Sequence, residues 1–81
     1  MDYSIGFFPQ PGRNGEEIRG NFKNVGGNCE VKIFSLTGEL VGEAEVNADG
    51  GFYVNGISPG IYFVVVGEGE RWGYGKLIIA E

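Results

Sequence analysis

The stretch NGISPGIYFVVV, residues 55–66, sets a Ser-Pro-Gly corner directly against six apolar residues. Pro59 fixes φ as the first central position of a β-turn requires, and the spacing gives Gly60 the positive φ of a type II turn. Residues 61–66 then read as a strand: β-branched and aromatic, with a glycine at each end, and short for a helix. The run lacks polar alternation, which predicts a strand covered on both faces at the centre of a sheet. On this reading a Gly60→Val change is strained.

Outward from that corner the chain is a succession of short alternating segments. Tyr3, Ile5 and Phe7 alternate with Asp2, Ser4 and Gly6 as a half-buried first strand, ended by Pro9-Gln10-Pro11-Gly12. Residues 13–16 read as a polar loop. Ile18, Gly20 and Phe22 then share one face of a second strand, and residues 24–28 form a loop. Residues 29–36 make a third strand, and Thr37-Gly38 closes a hairpin onto a fourth. There Leu40, Gly42, Ala44 and Val46 are expected to face inward, with Glu43 and Glu45 facing water. Residues 48–51 are a turn, Phe52 and Val54 begin a fifth strand, and the Ser-Pro-Gly corner leads into the sixth. Gly67-Glu68-Gly69-Glu70 turns the chain into a last strand over residues 71–79. About seven short strands, with turns at the spacing of a sandwich, predict an all-β fold. The expected architecture is one small antiparallel β-sandwich of immunoglobulin-like size, a single domain over residues 1–81.

Composition agrees. Sixteen glycines and three prolines suit tight turns, and 42% hydrophobic with 14% aromatic residues excludes a disordered tail. The net charge is −5, and the six cations are scattered at Arg13, Arg19, Lys23, Lys32, Arg71 and Lys76. Without a basic cluster, neither nucleic acid nor anionic lipid is an expected partner. No apolar run approaches the roughly 20 residues of a membrane-spanning helix. Met-Asp-Tyr opens no signal peptide, so the chain reads either as cytoplasmic or as a domain excised from a longer precursor.

Catalytic side chains are scarce. Histidine is absent, which removes the commonest general base and metal ligand. Cys29 alone cannot form an internal disulfide and reads as a small buried thiol rather than a nucleophile. Glu43/Glu45 and Glu16/Glu17 pair on paper, but no neighbour in sequence marks a cationic or burying partner that separates their pKa values. Asn47 and Asp49 sit before glycines like the start of a calcium loop, without its closing ligands. Hence no enzyme activity, no cofactor and no metal are expected. Trp72 and Tyr74 share one face of the last strand opposite Gly73 and Gly75. With Tyr62, they are either cross-strand packing or an aromatic platform for a sugar or protein ligand.

The order of motifs carries a resemblance. VKIFSLTGELV (31–41), GGFYVNGISPGIYFVVV (50–66) and KLIIAE (76–81), preceded by FFPQP (7–11), together resemble the type A C-terminal sorting domain of the type IX (Por) secretion system. The likeness covers nearly the whole chain. It departs from the family in Gln10, where Asn is usual, and in a tail ending Ala80-Glu81 rather than on a basic residue. The resemblance implies that Gly38 closes the first hairpin and that Pro59, Gly60 and Tyr62 form the family's corner. It implies that Lys76, Leu77, Ile78 and Ile79 are the terminal segment read by the machinery. A domain of this kind rides behind a larger cargo, passes the periplasm and presents itself to the outer-membrane translocon. A cell-surface sortase-like peptidase then cuts upstream of it, leaving the cargo on the surface or secreted. Such a domain is an address label and catalyses nothing.

Two other readings stand beside it. One is a small carbohydrate- or protein-binding module that uses Trp72, Tyr74 and the loops near Asn24 and Gly50. The other is a structural spacer of a secreted enzyme.

Overall fold

A computed structural model describes residues 2–20, 29–68 and 71–81. The described strands are β1 (Asp2–Ser4), β2 (Phe7–Phe8), β3 (Gly12–Arg13), β4 (Ile18–Gly20), β5 (Glu30–Phe34), β6 (Leu40–Glu45), β7 (Gly51–Phe52), β8 (Gly60–Glu68) and β9 (Arg71–Ala80). They form two sheets. The larger runs β1-β9-β8-β5-β6, with β3 also on β9; the smaller runs β2-β4-β7. Pairing is antiparallel except where β1 and β3 lie parallel to β9. The expected all-β sandwich is therefore present, with two short parallel additions along one edge. Among the described residues there is no helix.

The two sheets enclose one apolar core. Val31, Ile33, Val64, Val66, Leu77 and Ile79 descend from the larger sheet to meet Phe7, Ile18 and Phe52 of the smaller one. The Phe7 and Phe52 rings meet edge to face, with centroids 5.8 Å apart. Each fully buried side chain of this size contributes about 1.5–3 kcal/mol of transfer free energy. No polar side chain is buried among the described residues, so the core contains no desolvated charge to satisfy.

The seven expected strands are found, but the first is divided. β1 pairs with β9 in the large sheet; the chain then crosses the sandwich at Ile5, whose N–H donates to the Tyr74 carbonyl (2.8 Å), and β2 continues in the small sheet. Gly75 makes this crossing possible. A Cβ there would lie 2.1 Å from the Ile5 carbonyl oxygen and 2.9 Å from the Phe7 ring. Arg13, expected in a loop, belongs instead to β3.

Three further expectations are corrected. Gly60 does not have positive φ; the left-handed position is Gly56, at +69°. Ser-Pro-Gly is thus not a type II turn with Gly60 at its apex. Gly60 instead opens β8, where it pairs with Ile79. Second, β8 is central in its sheet, between β9 and β5, yet only one of its faces is covered. Val64 and Val66 are buried, whereas Ile61 and Phe63 are 46% and 49% exposed. Third, Leu40 faces outward. The β5–β6 register shifts between Ile33 and Phe34, so Gly42 pairs with Ile33 but Leu40 with Phe34. One extra residue on β6 moves everything beyond it to the other face. Gly42 and Ala44 retain their inward positions, and Ile57 packs where a Cβ on Gly42 would stand. Phe22, the Asn24 loop and the Gly69-Glu70 turn lie outside the described residues.

Candidate functional site: the outer face and edge of the last strand

Residues of β9 alternate across the sheet with a period of two. Leu77 and Ile79 point into the core and are 0% and 2% exposed; Lys76 and Ile78 point outward. The four residues of the expected terminal motif therefore divide into two that hold the fold and two that face solvent. The β8–β9 register places Ile78 beside Ile61 and Lys76 beside Phe63, and Phe63 in turn pairs with Phe34, whose other neighbour is Leu40. One cation thus stands at the end of an apolar row that crosses three strands.

Trp72 and Tyr74 extend the same face. The six-membered ring of Trp72 covers Gly67, and a Cβ there would come within 2.4 Å of it. Tyr74 is half-buried, and its ring lies 6.2 Å from that of Phe63 at an interplanar angle of 37°. Trp72 remains 40% exposed. Gly73 and Gly75 lie on the opposite, inward face, as their alternation predicts. The residue beneath the indole is Gly67 on the neighbouring strand.

The free side of β9 is closed by three devices in succession. β1 pairs with residues 72–74, and β3 with Ile79 and Ala80. Between them the Gln10 side chain substitutes for a strand. Its Nδ-equivalent amide nitrogen, Nε2, donates to the Lys76 carbonyl (2.9 Å), and its Oε1 accepts from the Ile78 N–H (3.0 Å). Arg13 Nε donates to the Glu81 carbonyl at 3.0 Å. The strand that presents Lys76 and Ile78 is thereby held in register on both sides, and its backbone cannot accept another strand there. Sequence reading missed this role of Gln10 and treated it only as a departure from Asn. The available signal was its position between Pro9 and Pro11, where no flanking N–H competes as a ladder donor.

The corner residues meet one another locally. Tyr62 O–H donates to the Ser58 carbonyl four residues upstream, and its ring lies 3.7 Å from where a Gly60 Cβ would be. This is the same device as the tyrosine corner of other sandwiches, an aromatic hydroxyl tying a sheet-to-sheet connection to its own strand. Pro59 is exposed within that connection. Gly38 has φ +92° and its N–H donates to Ser35, closing the β5–β6 hairpin as expected.

The remaining candidates are accounted for by turns and surface pairs. Asn47 Oδ1 accepts from the N–H groups of Asp49 and Gly51, and Asp49 pairs with Arg19 at 2.9 Å. Arg19 also meets Glu17 at 3.0 Å, so Glu17 has a cationic partner two residues along the chain, contrary to the expectation that nothing nearby supplies one. Among the described residues no cluster of His, Cys, Asp and Glu is arranged to hold a metal ion. Cys29 is buried in the core. Glu43 and Glu45 project from β6 opposite Lys32 and Glu30.

Comparison with known protein families adds one finding. Residues 6–80 match the family described as the secretion system C-terminal sorting domain. No curated protein matches the chain.

Proposed function

The chain belongs to the type IX (Por) secretion-system C-terminal sorting domain family, and on that premise we propose that it directs an upstream cargo through the outer-membrane translocon by means of the outer face of β9. As a sorting signal the domain marks its protein for export. In the finer reading, Lys76 and Ile78 are the side chains read, flanked by Ile61 and Phe63. Leu77, Ile79, Gly38, Pro59, Gly60 and Tyr62 maintain the frame that presents them. The cargo crosses the periplasm, and a cell-surface sortase-like peptidase separates it from the domain at the surface. The domain itself performs no catalysis. The carrying observation is the family match over residues 6–80; the outward placement of Lys76 and Ile78 on a strand closed at its edge supports the choice of residues.

The test is export of a reporter. A signal peptide and a fluorescent protein are fused ahead of residues 1–81 in a bacterium possessing a type IX system. Removing residues 76–81 is a poor control, because it deletes the buried Leu77 and Ile79. Lys76→Glu and Ile78→Asp leave the core intact and are the informative variants. Surface or medium fluorescence from the parent, with periplasmic retention of a folded Lys76→Glu/Ile78→Asp double variant, supports the proposal. Equal export of both assigns recognition elsewhere, and periplasmic retention of the parent rejects the sorting role. A second reading, ligand binding by an aromatic platform, draws on the exposure of Trp72. It requires that Trp72→Ala abolish binding to an oligosaccharide array without affecting export.

A further inference from the structure

The sequence contains two Asn-Gly dipeptides, Asn14-Gly15 and Asn55-Gly56, and the fold treats them oppositely. An Asn side chain followed by Gly is open to attack by the next backbone nitrogen, because no Cβ shields that nitrogen. At Asn14 both reacting groups are engaged. Nδ2 donates to the Ile57 carbonyl (2.8 Å), Oδ1 accepts from the Ile57 N–H (3.1 Å), and the Gly15 N–H donates to the Val54 carbonyl (2.9 Å). At Asn55 neither is. Asn55 and Gly56 are both exposed, and neither has a hydrogen-bond partner among the described residues.

We propose that Asn55 is a site of spontaneous, structure-selected deamidation, and that Asn14 is protected by its clamp on Ile57. The Gly56 backbone nitrogen attacks Cγ of Asn55; the N–Cγ bond forms, the Cγ–Nδ2 bond breaks, and the amide nitrogen leaves as ammonia with the proton of the Gly56 N–H. Water then adds to either carbonyl of the resulting succinimide and opens the ring, giving aspartate or isoaspartate. No oxidant, reductant or enzyme takes part.

The product is consequential because of where it sits. Either acid adds a negative charge to a chain already at −5. Isoaspartate also inserts a methylene into the backbone two residues before Ile57, which Asn14 holds and which packs against Gly42. Of the two Asn-Gly sites, the connection from β7 to the Tyr62 corner is thus the one that ages first.

Opening Asn14 for reaction requires breaking three hydrogen bonds, each a factor of about two to ten, so its folded-state rate should be on the order of a hundredfold slower than that of Asn55. The experiment incubates the intact chain in mildly alkaline buffer, with and without urea, followed by peptide mass spectrometry. The expected result is an amide-to-acid mass increase confined to the Asn55 peptide in buffer, with separately eluting aspartyl and isoaspartyl forms. In urea the two sites should react at similar rates, and Asn55→Gln should remove the signal. Equal rates at both sites in the folded chain overturn the proposal. So does an Asn55 that stays intact when folded yet reacts in urea.

Discussion

Gly75→Ala tests the point where the first strand passes from one sheet to the other. The added methyl meets a backbone oxygen, Ile5 O at 2.1 Å, so a side-chain rotation cannot relieve it; the Phe7 ring at 2.9 Å closes the other direction. The chain at Ile5 must therefore lift away. Overpacking of this kind costs about 1–3 kcal/mol. Loss of the Ile5 N–H bond to Tyr74 adds about 1 kcal/mol, and partial exposure of Ile5 and Phe7, now 5% and 4% exposed, adds about 1–2 kcal/mol. The total is at least about 3 kcal/mol, against about 4–12 kcal/mol for a domain of 81 residues. Thermal unfolding followed by circular dichroism should show Tm lowered by about 12 °C or more. Gly6→Ala is the control, since a Cβ there meets nothing within 4 Å and φ is not positive; its stability should change by no more than about 0.5 kcal/mol. A Gly75→Ala melt within about 2 °C of the parent would refute the close crossing.

The corrected corner gives a paired prediction: Gly60→Ala should change stability by less than about 0.5 kcal/mol, while Gly56→Ala, at φ +69°, should cost about 1–2 kcal/mol in urea denaturation. The reverse ranking would restore the type II assignment at Gly60. Gln10→Ala should lower stability by about 1–2 kcal/mol and speed hydrogen exchange at the Ile78 amide, which donates to Oε1. Unchanged Ile78 protection would mean that the Gln10 side chain does not close the edge.

Apart from β3 and the Ser-Pro-Gly corner, the strands and turns were legible in the sequence because both are local. Gly38 and Gly50 stand at positive φ where their turn spacing put them, and the hairpin between β5 and β6 closes as expected. Alternation alone also grouped Val31 with Ile33 on one face of β5, and both are buried. Composition correctly implied an all-β sandwich, and four motifs in order pointed to the family.

Tertiary structure decided what depends on partners distant in the chain. An unbroken apolar run does not record whether its second face is covered, so the exposure of Ile61 and Phe63 could not be read from residues 61–66. A one-residue register shift between two strands leaves no mark in the sequence of either, which is why Leu40 was placed on the wrong face. Gln10 acts on residues 66 and 68 positions away, through side-chain geometry that mimics a strand. Periodicity determined which β9 residues point together. Only the packing of the two sheets determined that Leu77 and Ile79 became core and that Lys76 and Ile78 were left to be read.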